Sequence, residues 1–306
     1  MRVLRGSYNY DLGGDSYVVG IGVFDSVHLG HQALLHKVQA IAAATGLPSL
    51  VYTFDPHPLK ITQPANAPKL IEPLSVRLAR LEAMGIGTTL IEPFTDEFAR
   101  QSANSFARTL ATKVKAKHVV VGNKFTFGNK QSGDVQKLFE WGNVFGYSVH
   151  SIATHMVNNI TVSSSKIREY LWSGTVRGAA MLLGRPFTLA GVILRGAQRG
   201  TGLGFPTANL DTHYELIPSS GVYAGRAICD IGLFEAVVNI GTTPTFGGDQ
   251  LKIEAHFPEY QGGPLYGTAM TIELIDRLRS EINFSDVTAL KAQIKSDIEQ
   301  ARRVLG

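Results

Sequence analysis

Several stretches of this sequence bring together residue types suited to handling phosphate. The first is Asp25-Ser26-Val27-His28-Leu29-Gly30-His31, two imidazoles three residues apart with a glycine between them. An imidazole donates to phosphate oxygens, and glycine lets backbone and ligand approach closely. Two such histidines alone would serve equally as a surface pair or half of a metal site. The second stretch, Val162-Ser163-Ser164-Ser165-Lys166-Ile167-Arg168, crowds hydroxyls and two cations at a helix start. Serines there are good caps, and with Arg168 they also describe a phosphate clamp. The third is glycine-rich, from Gly196 through Arg199, Gly200, Gly202 and Gly204 to Pro206-Thr207-Ala208-Asn209. Its glycines free the backbone to wrap a phosphate, but it lacks the GK[ST] end of a Walker A loop. On an extended segment Thr207 and Asn209 face the same way, and their oxygens could ligate Mg²⁺, a hard ion. Glu254 is a lone carboxylate within Ile253-Glu254-Ala255-His256-Phe257. It lies on a solvent face or acts as a general base, and the residues alone slightly favour the solvent face. Asn239-Ile240-Gly241-Thr242-Thr243-Pro244-Thr245-Phe246-Gly247 is a further glycine- and threonine-rich turn.

These residues need elements to hold them. Val18 to Val23 reads as a buried parallel strand, and Leu34, Leu35, Val38 and Ile41 recur at helical spacing from His31. His28 and His31 therefore sit where a strand gives way to a helix, whose N-terminus favours anions. A second strand, 49–54, ends in Asp55-Pro56-His57-Pro58 and places His57 at a carboxyl edge. Helices over 74–84 and 97–114 and strands over 88–92 and 118–121 follow. The last strand runs into the loop Gly122-Asn123-Lys124-Phe125-Thr126-Phe127-Gly128. Helix 134–145, strand 147–152 and helix 175–183 complete an alternation that predicts a doubly wound parallel sheet. Gly184-Arg185-Pro186 is a strong stop, so the domains are expected over 1–184 and 185–306. Beyond it, short strands over 188–195, 222–229, 234–240, 252–257 and 269–276 predict an antiparallel sandwich or small barrel. Helix 285–304 is expected to pack outside it.

The whole chain has 306 residues, a net charge of +4 and no lysine- or arginine-rich run. That suits anionic small molecules and gives no footprint for nucleic acid. The single cysteine, Cys229, excludes an internal disulfide. No cationic stretch with an apolar core opens the chain, and no apolar run approaches the roughly 20 residues of a membrane span. A cytoplasmic location with no membrane partner is expected.

The segment around His28 and His31 resembles the HxGH motif of nucleotidyltransferases. With TFDPHP, VGNKFTFG, SSSKIRE, LLGRPF, RGTGLGFPTANL, GVYAG, NIGTTPTFG, IEAHF and LYG in order, nearly the whole chain resembles the bacterial bifunctional riboflavin kinase/FMN adenylyltransferases, or FAD synthetases. The resemblance implies a nucleotidyltransferase domain followed by a six-stranded antiparallel barrel. Riboflavin would be phosphorylated by ATP to FMN, and FMN adenylylated to FAD with release of pyrophosphate. It implies that His28 and His31 bind ATP phosphates, with Gly22, Phe24 and Gly30 shaping the pocket and His57 belonging to it. Ser163, Ser164 and Arg168 would form a second phosphate-binding motif, and Asn123, Lys124 and Phe125 would lie near the flavin. In the second domain Gly196, Arg199, Gly204 and Pro206 would hold nucleotide, Thr207 and Asn209 would ligate Mg²⁺, and Glu254 would activate the ribityl hydroxyl. That reverses the reading of Glu254 from the residues alone. A monomer or weak homo-oligomer is expected.

Two positions depart from the family pattern. Ser26 stands where the family usually has glycine, and Lys124 where it usually has Asp or Asn. Both lie in the adenylyltransferase half. The stretch from Pro258 to Pro264 is only loosely family-like. A riboflavin kinase with a weakened first half is therefore the main alternative. A flavin-binding regulator is disfavoured by the retained Glu254, and a nucleotidyltransferase for another small molecule by the attached barrel.

Overall fold

The computed structural model describes residues 1–9, 16–195, 205–245, 248–260, 262–263 and 265–306. Gly196, Arg199 and Gly204 lie outside the described residues. The chain forms two compact units, 1–163 and 164–306.

The first unit is built on strands β1 (Arg2–Arg5), β2 (Tyr17–Ile21), β3 (Ser49–Asp55), β4 (Thr88–Pro93), β5 (Ala116–Gly122) and, after two short ones, β8 (Ser148–Ile152). The short pair, β6 (Thr126–Phe127) and β7 (Gly133–Asp134), and the hairpin of β9 (Met156–Val157) and β10 (Ile160–Thr161), are antiparallel. The large sheet runs β1-β4-β3-β2-β5-β8 and is parallel throughout. Its helices are α1 (Leu29–Thr45), α2 (Pro58–Thr62), α3 (Leu74–Ala83), α4 (Asp96–Ala99), α5 (Ala103–Thr112) and α6 (Val135–Phe145).

A parallel sheet must be covered on both faces. Val18, Val51 and Val120 pack with Leu34, Leu35 and Val38 of α1 and Leu81 of α3. On the other face Val19, Ile21, Leu50, Val119 and Val121 meet Phe106 and Leu110 of α5 and Leu138 of α6. The doubly wound fold is thus as expected. The single helix expected over 97–114 is two, because Ser102 Oγ accepts from Ser105 N–H at 3.1 Å and caps a fresh start. From β2 the chain goes to β3 and β4 on one side and then returns to β5 on the other. The crevice outside the carboxyl ends of β2 and β5 is the topological switch point, where open α/β sheets bind ligands.

The second unit opens with α7 (Ser164–Trp172) and α8 (Val176–Leu183). Strands β11 (Phe187–Leu194), β12 (Thr207–Asp211), β13 (Gly221–Cys229), β14 (Gly232–Thr245), β15 (Gly248–His256) and β16 (Ala269–Arg279) then close into a barrel, ordered β11-β12-β15-β14-β13-β16. Each neighbouring pair is antiparallel. Leu189, Ile193, Ala208, Tyr223, Val238, Ala255, Ile272 and Leu274 are buried, and the register puts them together inside. Helix α9 (Val287–Leu305) covers the outer face of β13 and β14, where Ala301 and Leu305 meet Val222, Ala224 and Val237. It starts at the Asp286 cap and is tied to β16 by Arg279, which donates to Asp297 at 2.9 and 2.7 Å.

The compact units divide just before α7. The α7–α8 pair is joined to the barrel unit by Ser219 N–H donating to Leu171 O at 3.1 Å and by the Arg177–Asp276 pair at 2.9 Å.

Candidate active sites

In the parallel-sheet unit the chain leaves β2 through Gly22, whose N–H donates to Tyr52 O at 3.2 Å. A Cβ at Gly22 would meet the Phe24 ring at 3.2 Å. Phe24, Ser26 and Val27 follow with φ of 54°, 73° and 41°. Left-handed backbone at three non-glycine residues in a row of four is strained, and such strain gathers at functional loops. Side-chain hydrogen bonds hold it. The Asp25 carboxylate accepts from Ile71 N–H at 3.1 and 3.2 Å, and Arg77 Nη1 donates to Val23 O at 2.6 Å. Thr53 Oγ1 donates to the same carbonyl at 3.1 Å.

The loop delivers His28 as the N-cap of α1, with its Nδ1 accepting from His31 N–H at 3.2 Å. An accepting Nδ1 fixes the neutral ring's proton on Nε2. The His28 and His31 rings stack at 3.6 Å, and Phe24 tilts against His31 at 5.3 Å. A Cβ on Gly30 would lie 3.2 Å from the His28 ring, so Gly30 is what admits it. Burial first, then the charges of His28 and Arg77, hold the His31 imidazole well below its ordinary pKa. Among the described residues its buried Nδ1 has no hydrogen-bond partner.

His57 repeats the device at the end of β3. It is the N-cap of α2, and its Nδ1 accepts from Leu59 N–H at 3.1 Å. Past the end of β5, Asn123 and Lys124 form a turn, not an extended segment, and Thr154 Oγ1 donates to Asn123 Oδ1 at 3.1 Å. Phe125 stacks on Phe127 at 5.4 Å and reaches Phe106 at 6.4 Å.

In the second unit Ser164 opens α7, with Ser163 just before it, and Arg168 is buried on that helix. Thr207 and Asn209 alternate on β12 with the buried Ala208 and Leu210. The register sets Asn209 directly opposite Glu254. Glu254 likewise alternates with buried Ile253 and Ala255, so Thr207, Asn209 and Glu254 share the barrel's outer face and are half-buried there. Exposed Pro206 gives its carbonyl oxygen to His256 Nδ1 at 2.8 Å. Both Thr207 and Asn209 offer neutral oxygens, which fits a hard divalent ion shared with phosphate oxygens. Among the described residues no group of three or more His, Cys, Asp or Glu could hold a metal alone.

Sequence reasoning missed two parts of the first unit. Arg77 is buried on α3 among apolar positions. The signal was a cation on the stripe Leu74, Arg77, Leu78, Leu81. The other part is an aromatic wall at the strand ends, with Phe54 packing edge-on to Phe94 at 5.8 Å and against Phe98 at 6.0 Å. No sequence period marks it, since the rings come from β3 and from the chain beyond β4.

Among the described residues no helix is long and apolar enough to cross a membrane. The FAD synthetase family matches residues 14–166 and the riboflavin kinase family residues 183–305. A bifunctional riboflavin kinase/FMN adenylyltransferase of Escherichia coli is 33% identical over 100% of this chain and 98% of its own. That of Haemophilus influenzae is 32% identical over 99% and 98%, and that of Bacillus subtilis 34% over 94% and 92%. A crystal structure described as a macrolide-efflux protein from Streptococcus pneumoniae superposes with a TM-score of 0.89 at 27% identity, covering 99% of both chains. The chain belongs to the family of bifunctional riboflavin kinases/FMN adenylyltransferases and carries both of its modules.

Proposed function

We propose that the barrel unit phosphorylates riboflavin to FMN with ATP, and that the parallel-sheet fold joins FMN to the adenylyl group of a second ATP. What carries this reading is the outer-face row in which Asn209 stands opposite Glu254 within a closed barrel. The functional modules are 1–184 and 185–306.

In the barrel, Glu254 takes the proton of the ribityl hydroxyl as its oxygen attacks the terminal phosphorus, and ADP leaves. Thr207 and Asn209 hold Mg²⁺, which when bound neutralises charge on the phosphates. Gly196, Arg199, Gly204 and Pro206 belong to the loop that holds the nucleotide. In the other module, a phosphate oxygen of FMN attacks the α-phosphorus of ATP and pyrophosphate leaves. His28 and His31 donate to the phosphates from a loop whose geometry is set before binding, and such preorganised donors supply most of the catalysis in these transfers. Gly22, Phe24, Gly30 and His57 shape that pocket. Ser163, Ser164 and Arg168 act on phosphate oxygens, and Asn123, Lys124 and Phe125 face the flavin side. The protein works in the cytoplasm as a monomer or weak homo-oligomer, without nucleic acid or membrane.

A second reading, a kinase with a weakened adenylyltransferase, is favoured by one observation: Ser26 takes a φ of 73° where glycine would be at ease. Incubation with riboflavin, ATP and Mg²⁺, with flavins separated over time, tests both. FMN first and FAD afterwards is expected. FMN without FAD, even under reducing conditions, would establish the second reading, and no product at all would overturn both.

A further inference from the structure

We propose that Asn239 is a positioning residue of the phosphoryl-transfer site, standing opposite Glu254 on the barrel's outer face with Glu281 near it. The inference rests on the reading of Glu254 given above. Asn239 opens the Asn-Ile-Gly-Thr-Thr stretch that the sequence reads as a turn; in the structure that stretch lies within strand β14, because it pairs with β15, and the mechanism leaves it unused. Strand β14 pairs with β15 so that Asn239 stands directly opposite Glu254, on the side away from Asn209. Residues so opposed have Cβ atoms about 4.5–5.5 Å apart. The row Asn209, Glu254, Asn239 therefore crosses three strands on one face, with an amide on each flank of the carboxylate.

Gly241 explains the other side. A Cβ there would collide with Glu281 Oε1, and Asn239 Nδ2 lies 3.5 Å from the same point. The missing side chain is what seats the Glu281 carboxylate beside the amide nitrogen. Glu254, across the ladder, and Glu281, beside Gly241, thus both lie near this amide. Charged groups also on this face include Lys252 and His256 of β15, Asp211 of β12, and Glu235 of β14 with its cross-strand partner Arg226 of β13. Arg279, which pairs with Val222 on the far side of Asn239, is engaged by Asp297. An amide gives a carboxylate a hydrogen-bond donor without adding charge. It can fix the rotamer in which Glu254 meets its substrate and keep like charges apart.

Shape and charge make opposite orderings here. Asn239→Asp is nearly isosteric, and a purely structural role would tolerate it better than Asn239→Ala. If the amide acts as proposed, the Ala variant loses about tenfold or more in kcat for FMN formation, with KM for ATP unchanged within about twofold. The Asp variant falls about tenfold below Ala, because a like charge replaces a donor. Adding Glu281→Gln to the Asp variant recovers most of that second loss. FAD formation from supplied FMN stays at the starting level throughout and reports that the chain is folded. An Asp variant as active as the parent, or one that Glu281→Gln does not improve, would overturn the proposal. Should the Asp variant not fold, Asn239→Ser keeps a donor and is expected to exceed Ala in kcat; Ser no better than Ala would equally refute it. Glu254→Gln separates the two levels. If that variant still makes FMN, the reading of Glu254 fails; if it is dead while every Asn239 variant is normal, only the role of Asn239 fails.

Discussion

The two units place their reactive groups by different means. In the parallel-sheet unit position comes from where chain segments end: a strand stops, three residues turn left-handed, and an imidazole caps the next helix. In the barrel it comes from pairing. Asn209, Glu254 and Asn239 belong to three different strands and align because the ladders put them in register. The first site is therefore sensitive to backbone conformation over a few residues, and the second to side-chain identity on a rigid face.

The sharpest way to break the comparison is to remove one group from each. Glu254→Gln is expected to lower FMN formation by about 10²–10⁴-fold, as loss of a general base does, with FAD formation from supplied FMN intact. A chromatographic assay of each step separates the two. His28→Ala should do the reverse. It removes the proposed phosphate donor, about 10²–10³-fold in FAD formation, and also the α1 cap, about 1 kcal/mol of stability. A loss of both activities from either change would show that the units are not separable in this way.

Next in size is a core test of the loop's support. Arg77→Met leaves the Val23 carbonyl with Thr53 alone. Breaking a buried charged hydrogen bond costs about 1.5–3 kcal/mol. Thermal unfolding should report that loss, with FAD formation reduced and FMN formation at the starting level.

A smaller effect follows from pH. His31 has a folded-state pKa lowered chiefly by burial, with the Arg77 guanidinium adding to it. The unfolded chain therefore binds the proton more readily, and this group's contribution is complete above the unfolded value of about 6.5 and is lost as pH falls below it. Unfolding midpoints measured from pH 8 to pH 5 should decline below pH 6.5, and the decline should be shallower in His31→Gln.

The smallest is Ser26→Gly. Left-handed φ costs a non-glycine residue roughly 1 kcal/mol, so the exchange should stabilise slightly. If the adenylyltransferase is weakened by Ser26 and Lys124, reverting both to Gly and Asn should raise FAD formation. No gain would mean that these side chains are tolerated variations.

Much of this was legible beforehand because the signals are local. Val18 to Val23 and the helix stripe of Leu34, Leu35 and Val38 are periodic, so the strand–loop–helix around His28 could be placed from spacing alone. Five of the six barrel strands were legible as short apolar runs, whereas the polar β12 showed only as an extended segment, and the strand order was not legible. Periodicity says that Glu254 alternates with Ile253 and Ala255. It does not say that Asn209 and Asn239 are its neighbours, because pairing between residues far apart in sequence leaves no local trace. For the same reason Glu254 taken alone reads as solvent-facing: it does lie on the outer face, and only the pairing of its flanking strands sets Asn209 and Asn239 beside it. Arg77 and the rings of Phe54, Phe94 and Phe98 escaped notice because burial against another segment is a tertiary fact. The break at Ser102 was missed because its cap sits inside an otherwise continuous helical stripe.

The row across β12, β15 and β14 sets limits on how this sequence can vary by insertion and deletion. Side chains alternate with a period of two, so one residue added to β15 ahead of Glu254 would turn that carboxylate toward the apolar interior and bring Ile253 or Ala255 outward. An added residue in the segment between β15 and β16 leaves every pairing in the row untouched. In a collection of single-residue length variants, kinase function should therefore tolerate changes there and reject them within β15.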